Sequence, residues 1–357
     1  MVSVSEFRWI RRRALSILGL LAFALAGSRA QAAAAPIPMR SPPAQAEILD
    51  RRVAGINTAA FTGGKPSVAM LLRAQAMLAR AHFSPGAIDG RPGANLTHVV
   101  TAYQHARGLE PTRVIDQATW DLLALEPSSS RPVARLYTIT AKDLAGPFAP
   151  DVGSDLAKLA ALPKGPLYTG PLEALAARFH MARDRLAALN PGVDFRTPGA
   201  RIVVIDAAPA PFRKGDVASI RISKSADLVA AFDVYGRLLA TYPATVGSRE
   251  RPSPSGLHKV VSVSLPAAYV YDPARLTWGP RKHVKFTIKP GPKGPIGTVW
   301  IALDAPTYGI HGSPQAELIG KTASHGCVRL TNWDAENLAA GVRPGVKVEF
   351  RGNRPTA

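Results

Sequence analysis

The chain has 357 residues, 46% of them hydrophobic, with 44 Lys and Arg against 25 Asp and Glu, a formal net charge of +19 and one cysteine. That length and apolar content exclude a disordered chain and allow two or three domains, each with its own core; a lone cysteine excludes an intramolecular disulfide framework. The basic residues run along the whole chain instead of clustering with aromatics, and no nucleic-acid motif is present, so the charge points to an anionic polymer or surface and not to a nucleic-acid partner.

Arg11-Arg12-Arg13 precede an apolar run from Ala14 to Ala26 and small residues at Ala30 and Ala32, the pattern of a signal peptide over residues 1–32. The run is shorter than the roughly 20 residues a bilayer span needs, so cleavage near Ala32 is expected to leave no stable membrane anchor. It removes five arginines and one glutamate, a change of four, and leaves +15. Exported proteins usually pair their cysteines, so an unpaired thiol outside the cytoplasm is either buried or used. Residues 33–66 are Ala- and Pro-rich, end in Gly63-Gly64-Lys65-Pro66, and read as a linker.

Over residues 67–126 three short helices are expected. Ser67 caps one carrying Val68, Leu71, Leu72 and Leu78, and Asn95 caps a second with Leu96, Val99, Val100 and Tyr103 at helical spacing, closed by Gly108. A third follows Asp116 and holds Trp120, Leu122 and Leu123. The order Ala-Gln-x-x-Leu, Pro-Gly-Ala-Ile-Asp-Gly, Val-Val-x-x-Tyr-Gln and Asp-x-x-Thr-Trp-x-x-Leu resembles the peptidoglycan-binding domain type 1 family, which implies peptidoglycan glycan as a partner. On packing grounds alone the segment is a three-helix spacer in which Tyr103 and Trp120 are core.

Residues 127–132, Pro-Ser-Ser-Ser-Arg-Pro, read as a second linker. A small α/β module then covers 134–206: a strand near Tyr137 to Ile139, a helix carrying Leu172, Leu175, Ala176 and Phe179, then Leu186 and Leu189, and a strand from Arg201 to Ile205. It is similar to a LysM glycan-binding repeat, except that about thirty residues without clear structure separate the first strand from the helix, an unusual loop for so small a fold.

From about residue 215 to 352 the texture changes to short strands: Val217 to Ile222, a hairpin of Leu228 to Val234 and Leu239 to Val246, then Lys259 to Ser264, Thr298 to Leu303 and Val346 to Phe350. One helix is expected at about Asn332 to Ala340. The fold class is therefore multidomain α+β with a mostly β third domain. Lys289 to Gly294 forms a Pro- and Gly-rich loop that reads either as a substrate contact or as a plain surface turn.

The chemistry concentrates in residues 310–330, where two histidines meet the only cysteine. A thiol attacks as thiolate, so it needs a base and, for the charge formed on an attacked carbonyl, N–H donors. Gly326 frees the backbone before Cys327, whose N–H and that of Gly326 could form an oxyanion hole. His311 and His325 are both within reach as the base. The rivals are a buried structural cysteine, disfavoured by the polar Ser-His-Gly-Cys-Val-Arg setting, and a zinc site, which lacks a fourth ligand and a CxxC pair.

Ile310-His311-Gly312, then Ser324-His325-Gly326-Cys327-Val328-Arg329-Leu330 and Thr331-Asn332-Trp333-Asp334-Ala335, resemble the signature of the L,D-transpeptidase catalytic domain, the YkuD family. Pro254-Ser255-Gly256, with Ser253 where Thr is usual, and Gly294-Pro295-Ile296-Gly297 extend the likeness over about 215–351. The resemblance implies a YkuD-like β-sandwich with Cys327 as nucleophile, His311 as base oriented by a backbone carbonyl near Gly312, and His325, Ser324, Gly326 and Arg329 in support; Tyr308, just before His311, is placed to line a substrate groove. It implies no cofactor and no metal. The expected reaction is 3–3 cross-linking of peptidoglycan stem peptides in the periplasm by acyl transfer from a tetrapeptide donor, with loss of D-alanine. Alternatives are a carboxypeptidase or an amidase that frees wall-attached proteins, with such proteins otherwise possible acyl acceptors, or a non-catalytic wall-binding scaffold.

Overall fold

Apolar spacing dictates the first helices. The structure, a computed structural model, describes residues 43–274 and 284–352, so the expected signal peptide and the first part of the linker lie outside the described residues. Helices α1 (Pro43–Thr58), α2 (Val68–Arg80), α3 (Ala94–Ala106) and α4 (Gln117–Leu125) come first. The hydroxyl of Ser67 accepts the Met70 N–H and the carboxylate of Asp116 the Thr119 N–H, so both helices are capped as their sequences predict. Asn95 does not cap: Gly93 holds that position, and the Asn95 amide instead donates to the Ile319 carbonyl at 2.9 Å.

Two expected linkers are ordered. The segment up to residue 66 carries α1, whose Leu49 and Ile56 are buried and whose Asn57 accepts the N–H groups of Val133 and Ala134. Residues 127–132 are gathered by buried Arg80, which donates to the carbonyls of Ser128, Arg131, Pro132 and Asp206. A buried guanidinium requires partners for its donors, and these carbonyls supply them.

The second module has β1 (Ala134–Thr138), α5 (Ala141–Leu144), α6 (Leu156–Ala160), α7 (Pro171–Arg178), α8 (Arg183–Leu189) and β2 (Arg201–Ile205), with β1 antiparallel to β2. It has no core separate from the first module: one cluster of buried residues runs from Leu49 through Leu72, Tyr103 and Leu123 to Leu186 and Ile205. The two small modules each have too little apolar surface for much stability alone, and merging them enlarges the shared core.

The third domain has its own core. Among the described residues its strands are β3 (Ser219–Ser223), β4 (Leu228–Phe232), β5 (Leu238–Pro243), β6 (Thr245–Val246), β7 (Gly256–Ser264), β8 (Tyr269–Tyr271), β9 (Phe286–Ile288), β10 (Trp300–Leu303), β11 (Gly309–His311), β12 (Val328–Arg329) and β13 (Lys347–Arg351), with one helix, α9 (Asn332–Gly341). Nine strands pair in the order β5-β4-β3-β13-β7-β10-β11-β12-β6. Strand β7 gives its first half to β13 and its second to β10. Because β5 and β6, the two ends of that order, are separated in sequence by Ala244 alone, the sheet must fold over on itself, as expected of a sandwich. The first module covers its β5 edge, where Thr241 exchanges backbone hydrogen bonds with Ser84 and His82. Among the described residues no helix is long and apolar enough to cross a membrane.

Candidate active site

Strand register places the predicted residues. Trp300 pairs with His311 across β10 and β11, and His311 with Arg329 across the parallel β11–β12 pair. Paired residues point to one face of a sheet and their neighbours to the other. Ile301, Ile310, Val328 and Val246, one residue along, are all buried in the core. Trp300, His311 and Arg329 therefore share the face away from that core. Extending the register back one residue sets Cys327 level with Gly309 on the same face and diagonal to His311, with Cα atoms about 8 Å apart from strand spacing and rise.

His311 is 4% exposed. Its Nδ1 lies 2.7 Å from the Gly312 carbonyl oxygen. A carbonyl can only accept, so Nδ1 carries the proton and Nε2 presents a lone pair. Burial pulls the His311 pKa down to about 4, and the nearby positive charge of Arg329 adds to the effect. The ring is neutral at physiological pH and stacks on Trp300 with centroids 5.5 Å apart. The carbonyl that sets this tautomer is itself wedged: a Cβ on Gly312 would meet Asn332 Oδ1 at 2.2 Å, and glycine is required there for close approach. Asn332 Oδ1 also accepts the Thr298 N–H at 3.3 Å, and its amide donates to the Pro292 carbonyl at 3.0 Å.

Cys327 is half-buried. Its thiol donates to the Thr307 carbonyl at 3.6 Å. Burial raises the thiol pKa, while a hydrogen bond from the Gly309 backbone and the charge of Arg329 act in the opposite direction. Gly326 has φ +109°, and a Cβ there would meet the Tyr308 ring at 2.6 Å, so glycine is demanded by both conformation and space. Three hydrogen bonds clamp this turn: Ser324 Oγ to the Cys327 carbonyl, 2.6 Å; Gly326 N–H to Ser324 Oγ, 3.3 Å; and Ser253 Oγ to the Gly326 carbonyl, 2.6 Å. The Gly326 N–H is turned to Ser324 in this structure, and the Cys327 N–H is the other candidate donor for an oxyanion hole.

The predicted residues fall into two groups bridged by Arg329. Cys327, Gly326 and Ser324 form the thiol turn with Tyr308 packed on it, and His311 with Gly312 forms the candidate base. Arg329, half-buried, lowers the pKa of Cys327, His311 and His325 alike. His325 is exposed, its pKa lowered first by desolvation and then by Arg329 and Arg251. Sequence reasoning missed Asn332 as a site residue although it stands in the quoted motif, because its task depends on Gly297 and Gly312 lying against it. It also missed Tyr269, whose hydroxyl pKa is raised by burial and then by Cys327; nothing in the sequence near residue 269 signals that approach. Among the described residues no group of three or more His, Cys, Asp or Glu converges as a metal site. A neutral imidazole, a thiol and a nearby N–H donor can together perform base-assisted acyl transfer.

Residues 218–350 match the "L,D-transpeptidase catalytic domain" and residues 69–123 the "Putative peptidoglycan binding domain". The "Putative L,D-transpeptidase YkuD" of Bacillus licheniformis is 30% identical over 182 residues, 50% of this chain and 92% of that protein. Its Bacillus subtilis counterpart is 27% identical over 177 residues, 50% of this chain and 91% of that one. Among solved structures, an L,D-transpeptidase from Mycobacterium smegmatis aligns at 17% identity over 43% of this chain and 64% of that chain, with a TM-score of 0.32. The matched domains are those of an acyl-transferring enzyme with peptidoglycan as its substrate. The chain belongs to the L,D-transpeptidase (YkuD) family.

Proposed function

We propose that this enzyme forms 3–3 cross-links between peptidoglycan stem peptides outside the cytoplasm, in the periplasm, after export by the segment 1–32. His311 Nε2 takes the Cys327 thiol proton, and the thiolate attacks the carbonyl of the third residue of a stem tetrapeptide. The C–N bond to the terminal D-alanine breaks, His311 returns the proton to that leaving amine, and a thioester remains on Cys327. An amine of a second stem then attacks the thioester, giving up a proton and restoring the thiol. The Cys327 N–H and Arg329 stabilise the negative charge that develops, Tyr308 lines the donor groove, and Ser324 with Gly326 fixes the thiol turn. His325, at the open edge, contacts the incoming peptide.

The observation that carries this reading is the tautomer: His311 has Nδ1 tied to a carbonyl and its basic nitrogen on the face that also bears Cys327. The first test is intact-mass analysis after imipenem, a compound held by a structurally similar L,D-transpeptidase. Wild type should gain one adduct and Cys327→Ser none; an equal adduct on both excludes Cys327 as nucleophile. Mass spectrometry of products from purified muropeptides then separates a cross-linked dimer from a hydrolysed tripeptide.

A further inference from the structure

The thirty-residue stretch between β1 and α7, too long for its module, reaches the third domain. Leu159 and Leu162 form a small core with Ile288 of β9, and Leu156, Tyr269 and Phe286 pack against it. Farther along, the Pro166 carbonyl accepts the Lys293 N–H at 2.9 Å, and Lys289 Nζ donates to the Pro163 carbonyl at 2.7 Å. Gly291 lies so close that an added Cβ would be 2.5 Å from the Pro166 oxygen. Lys293 Nζ also meets Glu173 of α7 at 2.7 Å, with side chains only 20% and 14% exposed. A largely desolvated pair of this kind is costly to break, because the survivor is left as an uncompensated charge.

From these contacts two lines run to the reacting groups. The 289–294 loop offers the Pro292 carbonyl to Asn332, Asn332 packs on Gly312, and the Gly312 carbonyl holds His311 Nδ1. Tyr269, resting on the small core, lies within electrostatic reach of Cys327. We propose that the insertion over residues 147–168, together with the start of α7, is a positioning element of the acyl-transfer site, which through Pro166 and the Lys293–Glu173 pair fixes the 289–294 loop and hence the direction of His311 Nε2. This rests on the reading of Cys327 and His311 as nucleophile and base. Lys293 and Glu173 are positioning residues and need not touch the substrate. The second module, outside both matched segments, thereby becomes part of the catalytic architecture.

The test uses the full chain with Lys293→Met, Glu173→Gln and the conservative Lys293→Arg. Two quantities are read: the imipenem acylation rate, and the pH profile of Cys327 alkylation by iodoacetamide, unambiguous because the chain has one cysteine. Both disruptive variants should be acylated about tenfold or more slowly, the scale expected when a catalytic group is misplaced by a fraction of an ångström to an ångström. Their alkylation midpoints should move by about half a pH unit or more, since the thiol's charged surroundings change, and Lys293→Arg should stay near wild type. Acylation within about twofold of wild type by a folded Glu173→Gln, with an unmoved alkylation profile, overturns the proposal. If wild type takes no adduct, the acyl-transfer reading fails, and the alkylation profiles still decide whether the insertion governs the thiol's environment.

Discussion

Two rows of side chains cross the same strands one residue apart. Ile301, Ile310, Val328 and Val246 form one row and have 0 to 2% exposure. Trp300, His311 and Arg329 form the other, continued by Cys327 at the strand end. The first row is apolar and interchangeable with any core of similar volume; in the second, Trp300 stacks on His311, His311 meets the Gly312 carbonyl and Cys327 the Thr307 carbonyl. A strand's period of two thus lets one short segment anchor the domain with alternate residues and present chemistry with the others. The price of that economy is register: a slip by one residue would bury His311 and Cys327 in the core.

The comparison is sharpest when each row is damaged separately. His311→Gln should have the largest effect, slowing imipenem acylation by about 10²- to 10⁴-fold, the usual contribution of a positioned base. It should also change the response to acid. In wild type the imidazole pKa is about 4 in the fold against an ordinary 6.5. The base therefore stays unprotonated well below pH 6.5, and the acid limb of the acylation rate should lie near pH 4 instead of 6.5. Stability has the matching sign. As pH falls below 6.5 the unfolded chain takes up a proton that the fold refuses, so the contribution is complete above 6.5 and lost as pH drops through about 4. Melting curves of His311→Gln against pH should lack that component, and a wild-type acid limb at 6.5 would show that the ring is not shielded as described.

Ile310→Ala reverses the pattern. It should lower stability by about 2–5 kcal/mol, the range for large-to-small changes in a close-packed core, while the folded fraction is still acylated at a rate within a few-fold of wild type. Denaturant unfolding and acylation under folding conditions measure the two separately. A loss of acylation as deep as that of His311→Gln would mean that the rows are not independent.

How much of this was legible in the sequence follows from the same geometry. The glycines, the two histidines and the lone thiol are local patterns, enough to single out residues 310–330 as the candidate site but not to choose between His311 and His325; a carbonyl near Gly312 was implied by the family resemblance, and the Gly312 oxygen does meet His311 Nδ1. The helices of the first module were legible for the same reason, through Ser67, Asp116 and the spacing of Leu96 to Tyr103. What escaped rests on contacts between distant segments that no local period encodes. Asn332 matters because Gly297 and Gly312 have no room for a side chain beside it. Tyr269 belongs to the third domain but packs on the small core that the 147–168 insertion, from the second module, builds with Ile288. The fusion of the two N-terminal cores was hidden similarly, since α1 and Arg80 bind segments about 50 to 130 residues away.

The smallest expected effect probes the clamp under the polar row. Ser253 is 5% exposed, its hydroxyl donates to the Gly326 carbonyl at 2.6 Å, and its own carbonyl accepts from buried Lys224 at 3.2 Å. Ser253→Ala leaves the Gly326 oxygen without that donor, which should cost about 1–3 kcal/mol of stability. The peptide before Cys327 is then freer to rotate, and acylation should slow by severalfold, far less than on loss of the base. Ser253→Thr keeps the hydroxyl and should restore the acylation rate. If Thr restores stability but not the rate, the added methyl has moved the thiol turn; if Ala leaves both unchanged, the carbonyl of Gly326 is held by the turn and Tyr308 packing without the hydroxyl.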